Sequence, residues 1–167
     1  MRKWLALIIA LPLTAFAAPQ EKIVALGGDV TEIISALGAE SSLVARDSTS
    51  LWPQRVTSLP DVGYLRQLNA EGILAMRPTL VLASAQAQPS LALKQVEQSN
   101  VNVVTVPGDN DLSAIDEKIR VIAQATHRVV QGEALRKTVQ QELAALPTSP
   151  LNKRVLFILS HGGMSAM

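Results

Sequence analysis

The chain has a single tyrosine, Tyr64, and its phenol is the first group to weigh for chemistry. A phenolate is a hard, anionic oxygen donor suited to a hard Lewis acid such as ferric iron. The obstacle is a phenol pKa of about 10, so ionisation needs the metal itself or a nearby cation. Arg66 stands two residues on, and in an extended segment the two side chains fall on one side. The same spacing equally describes a half-buried tyrosine that packs its ring beside a solvated arginine. His161 offers an imidazole, and Gly162 and Gly163 after it leave backbone room for a flat ligand; a surface histidine fits that pattern as well. Trp52 can stack on a planar ring or staple its own loop to the core. Arg55 can pair with an anionic ligand or remain solvated. His127 reads as surface, and Met76 sits at core spacing rather than ligand spacing.

Composition removes many alternatives. The 167 residues contain no cysteine, and are 48% hydrophobic and 17% charged. There is no thiolate nucleophile, no Cys-ligated zinc or iron–sulfur cluster, no disulfide framework and no cysteine for a lipid anchor. The balance of apolar and charged residues is that of a folded domain. No Walker loop, H-E-x-x-H pair or dinucleotide fingerprint occurs.

These side chains depend on elements the periodicity makes visible. Ile23 to Leu26 is a short apolar run stopped by Gly27-Gly28, after which Val30, Ile33, Ile34 and Leu37 recur at helical spacing. Asp29 and Glu32 have capping-box spacing, and Gly38 stands where a helix-ending glycine belongs. Leu43 to Ala45 predicts a second strand. The polar stretch from Asp47 to Pro60 is long for a connection and so a candidate functional loop. Asn69 is placed to cap a helix through Met76, Leu80 to Leu82 predicts a strand, Pro89 opens a further helix, and Val101 to Val106 predicts a fourth strand. Apolar strands separated by helices imply a parallel sheet covered on both faces, a three-layer α/β lobe. From Asp111 the pattern is helical, through Leu112, Ile115, Ile119 and Ile122, then Leu135, Val139, Leu143 and Leu146. Val155 to Leu159 reads as a buried strand. A lone strand cannot bury itself, which implies a truncated chain.

The N-terminus has the three parts of a secretory signal: Arg2 and Lys3, an apolar run from Trp4 to Leu13, and Ala15-Phe16-Ala17 at the cleavage site. That run is too short to span a bilayer. Without Arg2 and Lys3, 13 of the 15 Lys+Arg remain against 14 Asp+Glu, a balance with no bulk attraction to nucleic acid. The expected location is a periplasm. The predicted organisation is a signal peptide over 1–17, an N-terminal α/β lobe over 18–108, a helical connector over 109–150 and the start of a second lobe over 151–167.

With these elements in place the chain resembles a known family. Ile23-Val24-Ala25-Leu26, Thr31-Glu32-Ile33 and Ala36-Leu37-Gly38 are similar to the opening of periplasmic substrate-binding proteins that serve ABC importers of iron complexes and cobalamin. Leu59-Pro60-Asp61-Val62-Gly63, Asn69-Ala70-Glu71-Gly72-Ile73 and Arg77-Pro78-Thr79-Leu80-Val81 match it in order and spacing. Gly63-Tyr64-Leu65-Arg66-Gln67-Leu68 and Ser160-His161-Gly162-Gly163-Met164 resemble its haem-binding branch. The resemblance implies a two-lobed α/β binding protein with a helical connector between lobes, the ligand held in the cleft, and most of the second lobe missing here. It implies haem as the transported, iron-coordinated ligand, with Tyr64 as axial ligand and His161 as an additional one. Arg66 is then a partner for propionates and Trp52 a stacking partner. It also implies docking of Glu71 on an inner-membrane ABC permease, an outer-membrane haem receptor system as donor, and no chemical turnover. Within the same family the ligand can instead be a ferric siderophore or cobalamin. The segment His161-Gly162-Gly163 also resembles the oxyanion loop of α/β hydrolases, but the G-x-S-x-G elbow that chemistry needs is absent from the sequence.

Overall fold

Four strands form one parallel sheet: β1 (Ile23–Leu26), β2 (Leu43–Arg46), β3 (Leu80–Ser84) and β4 (Asn102–Val106), in the order β2-β1-β3-β4. The computed structural model describes residues 21–109, 111–147 and 153–157. Helices α1 (Gly28–Ala36), α4 (Ser113–Ala125) and α5 (Val129–Ala144) lie on one face, and α2 (Ala70–Ala75) and α3 (Leu91–Gln98) on the other. The strand period of two sorts the core between these faces. Ile23, Ala25, Leu80 and Leu82 pack with Ile34, Ile119 and Ile122, whereas Val24, Leu26, Val81 and Ala83 pack with Ile73, Leu93 and Val96. β1 and β3 are buried along their whole lengths, as central strands of a doubly covered parallel sheet must be, while the edge strand β4 is only partly covered. This is the α/β architecture expected from the sequence.

Caps and breaks explain the element boundaries. Asn69 Oδ1 accepts the Glu71 N–H at 2.9 Å, and Gly38 turns the chain at φ +72° after α1. Two expectations are corrected. α1 starts before Asp29, because the chain turns at once on Gly27, at φ +123°, as it leaves β1. Asp29 therefore lies in the first turn, where its Oδ2 accepts from Lys118 Nζ of α4 at 2.6 Å, and no capping box with Glu32 forms. Pro89 precedes α3 rather than opening it; Ser90 caps the helix, accepting the Leu93 N–H at 3.2 Å.

α4 and α5 are joined through His127, exposed at φ +56°. Arg136 of α5 donates to both carboxylate oxygens of Asp116 at 2.7 and 2.8 Å, and Gln140 adds a bond at 3.0 Å. The Arg136 guanidinium holds the Asp116 carboxyl below the usual carboxylate range. Gly132 is buried in α5 because a Cβ there would meet Ala123 Cβ at 2.5 Å, so the glycine sets the helix spacing. Of the predicted strand at 155–159, the described residues Val155, Leu156 and Phe157 belong to no sheet and are more than four-fifths exposed. A strand exists through hydrogen bonds to a neighbour, and none is provided among the described residues. Ile158, Leu159 and the signal segment lie outside them.

Candidate functional site at the carboxyl rim of the sheet

All four parallel strands end on one rim, which is where open α/β sheets hold ligands. β1 delivers Gly27-Gly28 to it, β2 delivers Asp47 to Ser50, and β3 delivers the turn Ala85–Ala87. A further segment joins beside β2. The Arg46 N–H bonds Pro60 O at 3.0 Å and the Val62 N–H bonds Arg46 O at 2.9 Å, so residues 60–62 run parallel to β2. The Ser48 N–H then bonds Gly63 O at 2.9 Å. Gly63, at φ +101°, turns the chain and sets Tyr64 down on the rim.

Tyr64 is half-buried and packs against the cluster on the α2/α3 face. Its carbonyl accepts the Gln67 N–H at 2.7 Å, so residues 64–67 form a turn. The segment is not extended, and the alternation that would place Arg66 beside Tyr64 does not apply. Arg66 is exposed on that turn.

The rim rests on a buried polar network that the motif reading missed. Asp47 is fully buried. Its Oδ1 accepts from the Gly27 N–H at 2.9 Å and Ser50 Oγ at 2.7 Å; its Oδ2 accepts from the Thr49 N–H at 3.0 Å and Thr49 Oγ1 at 2.6 Å. The Thr31 hydroxyl meets Ser50 Oγ at 2.7 Å. A buried carboxylate is tolerable when its lone pairs are filled in this way. One carboxylate thus ties the end of β1, the loop after β2 and the first turns of α1 together. The available signal was an aspartate two residues after the apolar run Leu43–Ala45 and followed by Ser-Thr-Ser, a turn signature.

The other expected site residues lie elsewhere. Trp52, 63% exposed, lines an open groove of about 480 Å³ with Ile33, Ile115, Ile119 and Arg55, on the α1/α4/α5 side. Arg55 pairs with Glu40, just ahead of β2 at the amino end of the sheet. Tyr64 does not line this groove. Met76 packs at the α2/α3 face, as its spacing suggests. Glu71 is exposed in the first turn of α2. His161, Met164 and Met167 lie outside the described residues. Among the described residues no group of three or more His, Cys, Asp or Glu could hold a metal ion, and no helix is long and apolar enough to cross a membrane. The rim presents one phenol, and its described residues offer a bare cation no cage.

The comparisons with known proteins bear on the fold and the family. The chain is similar to the periplasmic haem-binding protein HutB of Vibrio cholerae, at 40% identity and a TM-score of 0.75 over 88% of this chain and 58% of that one. It is similar to the periplasmic haem-binding protein RhuT from Roseiflexus sp. RS-1, at 38% identity and a TM-score of 0.81 over the same shares. The vitamin B12-binding protein of Pectobacterium carotovorum subsp. carotovorum (strain PC1) is 29% identical over 132 residues, which are 79% of this chain and 47% of the relative. The chain thus spans about half the length of the curated relatives it matches. The family described as periplasmic binding protein matches residues 23–162, and the chain belongs to that family.

Proposed function

We propose that this chain is the first lobe and connector of a periplasmic protein that captures ferric haem and delivers it to an inner-membrane ABC importer, without chemical turnover. The observation that carries the reading is the seating of the single tyrosine on the carboxyl rim of the parallel sheet. Haem brings its own four equatorial donors, so the protein need supply only axial ligands, which suits a rim with one phenol and no ligand cluster. Tyr64 is then the axial phenolate and His161 an additional ligand. Exposed Arg66 reaches a propionate from the edge of the rim. Trp52, in a groove that Tyr64 does not line, has no part in the proposed site. Export through the segment 1–17 puts the protein in the periplasm, with an outer-membrane haem receptor system as donor.

The second reading is cobalamin, favoured by the B12-binding relatives. Identities of 38% to RhuT and 40% to HutB, against 25% to the B12-binding protein BtuF of Vibrio cholerae, support the haem reading. Parallel spectral titrations with ferric haem and cobalamin separate the two. Haem is expected to give a saturable high-spin ferric spectrum with a phenolate-to-iron band. Saturable binding of cobalamin with an unperturbed haem spectrum would overturn the proposal.

Glu71 is the proposed permease contact. It stands in the first helical turn, where the helix dipole favours a carboxylate and leaves it exposed for a cationic partner. Losing one member of a buried interfacial charge pair costs roughly 2–5 kcal/mol. In a version carrying both lobes, Glu71→Ala is expected to keep haem affinity while slowing haem transfer to permease-containing liposomes. The defect should shrink at high salt as the unmodified protein also slows. Transfer at the original rate would leave Glu71 as a helix-start residue.

A further inference from the structure

The Tyr64 turn is held by one carboxylate that no ligand-based argument singles out. Asp61 Oδ1 accepts the Gly63 N–H at 2.8 Å and the Ser48 hydroxyl at 3.0 Å, while Oδ2 pairs with Arg46 Nη1 at 3.2 Å. Arg46 is a buried guanidinium at the end of β2. The same Nη1 donates to Asp47 O at 2.9 Å, and Nη2 reaches Thr57 O at 3.4 Å. Asp61 is therefore braced from behind by a residue that grips the polar loop on both sides. The bond to the Gly63 N–H falls immediately before Tyr64, where the backbone takes φ +101°. A side-chain oxygen that accepts an N–H two residues on is the usual way an aspartate fixes a turn of this kind.

From this geometry we infer that Asp61 is a positioning residue for Tyr64: its carboxylate locks the Gly63 turn and so sets the direction in which the phenol meets its ligand. The inference rests on the haem reading for its functional consequence, but the positioning itself needs no ligand to be observed. Metal ligands depend on supporting residues of this kind, whose loss typically weakens binding about 10–100-fold. Asp61 acts through the backbone rather than on the phenol directly, so the lower end of that range applies.

The single tyrosine makes the test direct. In chain labelled at tyrosine, the one ring signal in the NMR spectrum reports Tyr64 alone. Asp61→Ala should move that signal in the absence of ligand. It should also weaken ferric haem binding by about 10-fold and shift the phenolate-to-iron band. Asp61→Asn retains an oxygen for the Gly63 N–H and should restore the ring signal and the band, although the Arg46 ion pair is gone. That rescue separates turn geometry from loss of charge. An unmoved ring signal in Asp61→Ala, or an Asp61→Asn variant as impaired as Asp61→Ala, overturns the inference. If Asp61→Ala does not fold, Gly63→Ala carries the test. It strains the same turn, which needs φ +101°, so a ring signal left in place would be equally fatal. Tyr64→Ala distinguishes the two layers. Haem binding unchanged by Tyr64→Ala refutes the haem reading, whereas binding lost in Tyr64→Ala but intact in Asp61→Ala refutes only the positioning role.

Discussion

Tyr64→Ala is expected to abolish ferric haem binding, with an affinity loss of at least about 100-fold, the upper end of what the loss of a mere supporting residue costs a metal site. Donor supply decides the size of the effect. Tyr64 is the only phenol in the chain, no cysteine exists to replace it, and among the described residues no acidic or imidazole cluster is present to take the iron. Alanine also removes a ring that packs half-buried on the α2/α3 face, so the variant should lose some stability too. Tyr64→Phe keeps the ring and isolates the oxygen: the ring's packing is retained while the phenolate-to-iron band disappears. His161→Ala should act more weakly, through stoichiometry or low-spin content. Titration and visible spectra of the three variants provide the check, and a Tyr64→Phe variant with the original band and affinity would end the assignment.

What could be read in the sequence, and what could not, follows from the range of the forces involved. The strands and helices were legible because burial imposes period. Ile23 and Ala25 go to one side of the sheet and Val24 and Leu26 to the other, which a run of four apolar residues between turn signals already implies. Asn69 and Gly38 were legible because their roles are local. Asp29 misled because its spacing to Glu32 is that of a capping box, yet the helix start was decided by the turn at Gly27, a tertiary demand. The Tyr64–Arg66 relation failed for a similar reason: the alternation rule presupposes an extended chain, and the Tyr64 carbonyl closes a turn instead. The joining roles of Arg46, Asp47 and Asp61 were not legible, because the bonds that link separate segments, Arg46–Asp61 and Asp47–Gly27, span 15 and 20 residues, although Asp47 and Asp61 also bond locally. Hydrogen bonds between segments leave no period behind. Trp52 had two readings from sequence, and only the packing of α1, α4 and α5 could show which surface it lines.

The largest stability effect is expected at Asp47, which has no ligand role in the proposed site. Its carboxylate is wholly removed from solvent and filled by two backbone N–H groups and two hydroxyls. Asp47→Ala deletes the acceptor and leaves those donors without it. The hydroxyls can rotate toward other acceptors, but the Gly27 and Thr49 N–H groups are fixed by the backbone. An unsatisfied buried donor costs about 1–3 kcal/mol; the Gly27 N–H meets that in full and the part-buried Thr49 N–H only in part, so the pair should cost roughly 2–4 kcal/mol. For a domain of this size that lowers the melting midpoint by roughly 4–16 °C. Thr31→Val is the graded control, since it removes one hydroxyl at the margin of the network and should cost only about 1 kcal/mol. The loss should also reach the site. Ser48, next to Asp47, holds the Gly63 carbonyl, so an unmoored loop after β2 frees the turn that carries Tyr64. Thermal melts and haem titrations of both variants test this together: Asp47→Ala should fall in stability and affinity, Thr31→Val slightly in stability alone. An Asp47→Ala chain that melts within a degree or two of the original would mean that the rim is held by backbone pairing, and that the carboxylate is an accessory to it.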